Sequence, residues 1–260
     1  MTFSHAVVVT VPKTLTYFDT TIYDTNALRK QSEGIIETLR GAGLIVSEYC
    51  PEDGASASTL LIGDSAISIF PYNQLQLRYL LSPYSTNIQE CPDNVDGKTV
   101  VLNGGDVFFT GKEIFVGIRK HGTNFEGAKI VARVFCDHAV IPIHMSDKAQ
   151  CLKYYVAIVA PGILAIGSST EGQHILKILE AQSALPYKVI IIDDCEGINC
   201  MAVNQRLIFS RSKMASKLIN IQLNNLEFWS VEIPDLLKFG LPLSRHCLLI
   251  KSKNMTKKNM

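Results

Sequence analysis

The residues best suited to chemistry lie in one run, Leu102-Asn103-Gly104-Gly105-Asp106-Val107-Phe108-Phe109-Thr110-Gly111-Lys112-Glu113-Ile114-Phe115-Val116-Gly117-Ile118. Paired glycines take φ > 0 without steric cost and let a backbone approach a bound group closely. Two apolar strands are expected to flank Gly104-Gly105, with a second turn at Thr110-Gly111-Lys112, so the run reads as a hairpin with a tight polar first corner. Taken alone, such a turn is more often plain structure than a binding loop. Other candidates carry less. Cys136, His138 and His144 match no closed metal site. Asp193-Asp194-Cys195-Glu196 reads as a solvated turn after a strand. Gly104-Gly105 lacks the spacing of a Walker or Rossmann fingerprint.

The elements that must position this run follow from hydrophobic periodicity. Buried strands are expected over 5–11, 44–49, 60–62, 66–70, 139–143, 154–159, 163–166, 188–192, 202–203, 206–210, 228–233 and 245–250. Helical patterns run over 26–41 (Leu28, Ile35, Ile36 and Leu39 on one face), 72–81, 123–135, 170–181 and 214–218, with a helical turn over 234–239. Thr123 or Asn124 can cap the third of these and Ser169 the fourth. The order is a helix followed by strands, repeated about five times without repeated identity, which argues an α/β fold in one domain over 1–250. The periodicity does not yield the number of units.

Composition narrows the function classes. Net charge is +1, with 25 basic and 24 acidic side chains, so no broad field favours nucleic acid or a basic macromolecule. Residues 251–260 carry Lys251, Lys253, Lys257 and Lys258 and read as a basic, disordered tail. No apolar run reaches the ~18–20 residues of a membrane span, and no signal-like segment opens the chain. Seven cysteines without CxxC spacing fit a reducing compartment. The expectation is a cytoplasmic protein with no nucleic-acid or membrane partner.

The Gly104-Gly105-Asp106 run resembles the corresponding segment of the dimethylarginine dimethylaminohydrolases, guanidino-modifying enzymes of the pentein fold. The likeness continues through Lys120, Thr123-Asn124 and Gly127-Ala128. It recurs in Ser4-His5-Ala6-Val7-Val8, in Ile163-Leu164-Ala165-Ile166-Gly167-Ser168-Ser169, in Ile198-Asn199-Cys200 and in Leu248-Leu249-Ile250, covering nearly the whole chain in order. The resemblance implies a five-bladed α/β propeller of ββαβ units around a substrate-holding channel. It also implies hydrolysis of asymmetric dimethylarginine or monomethylarginine to citrulline and an amine, and with it nitric oxide control. In that chemistry a cysteine thiolate attacks the guanidinium carbon and a histidine, oriented by a carboxylate, serves as acid and base.

At the matching positions the residue types differ. The nucleophile position falls on Arg245, which stays protonated and cannot attack. The histidine position is Cys151, and the orienting acid is the neutral amide of Asn103. Of the two acids that meet the guanidinium only Asp64 remains, after Gly63, and a substrate-binding arginine corresponds to His121. The family cysteine and histidine can also hold zinc. With Arg245 and Cys151 in their places, no metal and no other cofactor is expected. One alternative keeps catalysis: Cys247, two residues beyond Arg245 on the same strand face, acting as nucleophile with His144 or His246 as base. The expected displacement of ~6–7 Å along the strand argues against it. The leading expectation is a catalytically inactive relative with a binding or regulatory role. It would take a methylated arginine or a carboxylate in the channel, or associate with an active paralogue.

Overall fold

A computed structural model describes residues 2–16, 23–65, 89–193, 198–210, 226–239 and 242–251. Its strands are β1 (Phe3–Val9), β2 (Leu15–Thr16), β3 (Ile45–Tyr49), β4 (Ala55–Ser56), β5 (Asn94–Val95), β6 (Lys98–Thr99), β7 (Val107–Phe109) and β8 (Glu113–Ile118). They continue as β9 (Ala139–His144), β10 (Val156–Ala160), β11 (Ile163–Gly167), β12 (Lys188–Ile192), β13 (Cys200–Val203), β14 (Arg206–Ser210), β15 (Glu227–Val231) and β16 (Cys247–Lys251). The helices are α1 (Thr25–Gly41), α2 (Ile62–Ser65), α3 (Phe125–Val134), α4 (Leu152–Tyr155), α5 (Thr170–Gln182) and α6 (Pro234–Phe239).

One pattern recurs in four three-stranded sheets. A first strand pairs antiparallel with a second, and the second pairs parallel with a third. The sets are β16-β1-β3, β7-β8-β9, β10-β11-β12 and β13-β14-β15. A parallel pair needs a long crossover. Helices α1, α3 and α5 supply it in the first three sets, while residues 211–225, between β14 and β15, lie outside the described residues. Stretches of β16, β7, β10 and β13, the first strands of the four sets, line one common cavity, as blades do around a propeller axis. Residues 66–88 are outside the described set, as are the expected strand over 66–70, the helices over 72–81 and 214–218, and residues 252–260 of the expected tail, whose first residue, Lys251, instead ends β16 paired with Phe3.

Local chemistry places the crossovers. The Asp24 carboxylate accepts the N–H groups of Asn26 and Ala27 at 2.9 and 3.2 Å and opens α1, whose Leu28, Ile35, Ile36 and Leu39 are buried as the stripe requires. Asn124 caps α3 through the Gly127 N–H, and Ser169 caps α5 through that of Gly172. Four apolar clusters lie between the layers; the largest joins β1, α1 and β16 to Met201, Val203 and Ile208 of the fourth unit. Among the described residues no helix is long and apolar enough to cross a membrane.

Four expectations need correction. The strand expected over 154–159 starts only at Val156, because Tyr154 and Tyr155 end the helical turn α4. Residues 60–62 form no strand; a 3-10 turn, Ala57–Leu60, runs into α2. Leu60, Leu61, Ile62 and Asp64 are all buried, so the run carries no period-2 signal to separate strand from helix. Gly104-Gly105 is not a hairpin corner. No strand directly precedes it, Gly104–Asp106 is a 3-10 turn capped by Asn103, and the hairpin turns at Thr110-Gly111, where Gly111 has φ 99°. Finally, the last strand starts at Cys247. Leu243–Arg245 is a 3-10 turn closed by Arg245 N–H to Pro242 O at 3.0 Å and His246 N–H to Leu243 O at 3.1 Å.

Candidate functional site

Three of these short turns meet without side chains between them. A Cβ on Gly104 would stand 2.4 Å from the Gly63 carbonyl oxygen, and one on Gly63 would stand 2.5 Å from that of Ser244. Glycine is required at both positions because backbone meets backbone there. The same approach brings α2, the 103–106 turn and the 243–245 turn together and carries Asp64, Asn103 and Arg245 with them. Gly105 marks their centre: a Cβ there would lie 2.8 Å from Asp64 Oδ1, 2.9 Å from Asn103 Oδ1 and 3.1 Å from Cys151 Cβ. Four residues expected to mark the site from sequence are thus neighbours in space.

Within this cluster, Arg245 reaches across to Asp64. Its Nε donates to Oδ1 at 2.9 Å and to Oδ2 at 3.0 Å, and its Nη2 also donates to Oδ2. The two side chains are 15% and 11% exposed, so the pair is largely shielded from water. Burial, the largest single influence, disfavours the Arg245 cation, yet the Asp64 hydrogen bonds together with the charges of Asp64, Asp106 and Cys151 hold its pKa above the ordinary value. A guanidinium and a carboxylate in this fork geometry saturate one another.

Asn103 plays a backbone role. Its Oδ1 accepts the Gly105 N–H at 2.7 Å, and its own N–H donates to Thr123 Oγ1 at 2.9 Å. Cys151 precedes α4 as its N-cap residue and is 3% exposed. Burial pushes its thiol pKa up, partly offset by the Arg245 guanidinium. It is not disulfide-bonded. His121 stands apart from the cluster: it is exposed, and its carbonyl accepts from Arg119 Nη1 at 2.9 Å.

Cys247 does not share a strand face with Arg245, because Arg245 lies in the preceding turn. Its Sγ is 3.3 Å from Met201 Sδ within the largest apolar cluster. Burial pushes its thiol up to about 12. A thiol so placed holds its proton at neutral pH and is a poor nucleophile. His246 is 2% exposed, and His144 Nε2 and Nδ1 make no hydrogen bond among the described residues, although its carbonyl pairs with His174.

Two features of the site lie beyond the residues singled out from sequence. Asp106, fully buried, accepts from Arg119 Nε at 2.8 Å, from the Thr123 N–H and Oγ1 at 3.0 Å each, and from the Leu152 N–H at 3.2 Å. Its place in the Gly-Gly-Asp run was the available signal. Lys153 lies on the cavity wall near Asp64 and Cys247, and its place in the Cys151-Leu152-Lys153 segment, which matches a His-Leu-Lys run of the resembling enzymes, was the available signal. Among the described residues no group of three or more His, Cys, Asp or Glu side chains is placed to hold a metal ion.

No family model matches the chain. It is 28% identical over 232 residues to a human protein named "Putative hydrolase DDAH2", an alignment covering 81% of this chain and 79% of that one. The bovine protein of that name is 27% identical over the same shares. Among solved structures, a Pseudomonas aeruginosa dimethylarginine dimethylaminohydrolase, a cysteine-to-serine mutant complexed with citrulline, superposes with a TM-score of 0.73 at 17% identity, covering 96% of this chain and all of that one. The N-terminal domain of ArgZ, a cyanobacterial arginine dihydrolase bound to product, superposes at 0.72 with 13% identity, covering 96% and 98%. At such identities the superpositions show the fold, the mixed α/β architecture of the penteins.

Proposed function

We propose that the chain is a catalytically silent member of the dimethylarginine dimethylaminohydrolase family, a kinship its 28% identity to the human DDAH2 protein supports, and that its guanidinium site is filled by its own arginine. The Asp64–Arg245 pair carries this reading. In a guanidine hydrolase the carboxylate would fix a cationic substrate while a thiolate attacks its central carbon. Here the carboxylate is already satisfied. A second guanidinium entering the cluster would meet the Arg245 charge at close range, where repulsion between like charges ~4 Å apart is on the order of 1–4 kcal/mol. The other two members of the reacting set lack the needed chemistry. Asn103 is neutral and spends its oxygen on the Gly105 N–H, and Cys151 offers a buried thiol where an imidazole would exchange protons.

The role left to such a protein is binding or regulation: of a small molecule in the channel, or of an active relative with which it associates. The experiment is citrulline release from asymmetric dimethylarginine by the purified protein and by the triple variant Arg245→Cys/Cys151→His/Asn103→Asp. No release by the unaltered chain and measurable release by the variant is the expected pair of results. Turnover by the unaltered chain would overturn the reading. Loss of that turnover in Cys247→Ser would then assign the chemistry to Cys247.

A further inference from the structure

The cavity ringed by the first strands of the four units holds about 320 Å3, near the small end of the ~300–1,000 Å3 that ligand pockets span. Its wall is apolar, with Val107 and Phe108 from β7, Val156 from β10, Met201 from β13 and Leu248 from β16. Two charged side chains interrupt it, Lys153 and Lys251, and no carboxylate among the described residues joins them on the wall. Lys251 lies with its ammonium 4.1 Å from the centre of the Phe109 ring, a cation–π contact that partly compensates its charge.

Lys153 has no such ring contact, and the nearby Asp64 charge offsets its burial only in part. Half-buried at the cavity wall, it makes no hydrogen bond or ion pair with any described residue. Asp64, the carboxylate that acts on it, is committed to Arg245. Burial accordingly lowers the Lys153 pKa. An ammonium facing an apolar wall without a partner is a standing penalty, relieved when an anion arrives.

We propose that this cavity is a second binding site, taking an amphiphilic anion whose carboxylate pairs with Lys153 and whose hydrocarbon chain lies along the apolar wall. The carboxylate replaces water at the ammonium by a charge-assisted hydrogen bond. The chain gains the transfer free energy of each buried methylene. The site adjoins the Asp64–Arg245 pair through Gly63 and Ser244, which line its wall, but does not depend on whether the cluster hydrolyses anything.

Calorimetric titration of the full chain with decanoate at neutral pH tests it. One saturable site per chain is expected, with affinity at least tenfold lower for the Lys153→Met variant and for decanol against the unaltered protein. A smaller loss is expected for Lys251→Met. Equal affinity of decanoate for the unaltered chain and Lys153→Met, or of decanoate and decanol, would overturn the assignment. So would the absence of saturable binding. If Lys153→Met does not fold, acetylation of the native protein by acetic anhydride, mapped by mass spectrometry, decides the matter. Protection of Lys153 by decanoate upholds the site, and unchanged labelling overturns it. Citrulline release is a separate readout, so failure here leaves the proposed loss of catalysis standing, and the converse.

Discussion

Asp106 accepts the backbone N–H of Leu152 at 3.2 Å, joining two turns 46 positions apart in sequence. That bond ties the 103–106 turn to the start of α4 and so sets Cys151 beside Asn103 and Asp64. The same carboxylate holds Arg119 and Thr123, and through them the loop that leads into α3.

Replacing Asp106 by alanine therefore leaves a largely buried Arg119 guanidinium without its partner, since that side chain is 13% exposed. The expected loss is about 3–5 kcal/mol, the range for breaking a buried pair from one side. Urea denaturation measures it. The double variant Asp106→Ala/Arg119→Met is expected to recover part of the loss, and with Arg119→Met alone the cycle isolates the coupling. A change below about 1 kcal/mol in the single variant would mean that the network is not holding the turns.

The Asp64–Arg245 pair makes a different prediction. Arg245→Ala empties the fork that faces Asp64, at an expected stability cost of about 2–4 kcal/mol. A small guanidinium can then replace the missing side chain. Methylguanidinium at low millimolar concentration should raise the melting temperature of Arg245→Ala, by mass action, and leave the unaltered protein unmoved. Asp64→Asn/Arg245→Ala should show no rescue. Equal responses of the single variant and the unaltered protein would remove the case for self-occupancy.

Gly63 sets a steric limit. A Cβ at this position would stand 2.5 Å from Ser244 O and 2.9 Å from Arg245 Cα, and backbone cannot swing aside as a side chain can. Gly63→Ala is expected to cost about 3 kcal/mol, lowering the melting temperature by roughly 10 °C in a chain of this size. Differential scanning calorimetry checks it. Gly34, whose Cβ would meet nothing within 4 Å, is the control. Gly34→Ala should be neutral or stabilising because alanine is the better helix former.

The buried thiols predict how stability depends on pH. Burial pushes Cys200 and Cys247 each up to about 12, whereas an unfolded thiol ionises near ~8.5. Between those values the folded state retains protons that the unfolded state has released. The stability they contribute is complete below about pH 8.5 and is lost as pH rises toward 12. Denaturation midpoints measured from pH 8 to 10.5 should fall, and the fall should be shallower in Cys200→Ala. Iodoacetamide should label exposed Cys50 and Cys136 in the native protein, and Cys151, Cys200 and Cys247 only after unfolding. Native labelling of Cys247 would revive it as a nucleophile.

Much of the architecture was legible in the amino-acid order, because hydrophobic period is a local property. The α1 stripe of Leu28, Ile35, Ile36 and Leu39, the caps at Asn124 and Ser169, and strands β11, β12 and β14 all stand where their side chains place them. The likeness to the guanidine hydrolases picked out Asp64, Asn103, Cys151 and Arg245 as residues of one site before any geometry was available. What period could not resolve were the three short turns, over 57–65, 103–106 and 243–245. Their residues mix buried, half-buried and exposed positions without a period, and they meet backbone to backbone at Gly63 and Gly104. The tertiary structure alone decided that the Arg245 charge is spent on Asp64, that Asp106 is the knot joining the turns, and that Lys153 is left facing an apolar cavity. Whether a charge is satisfied depends on which distant residue reaches it, and that is a property of distances in space, which residue order does not carry.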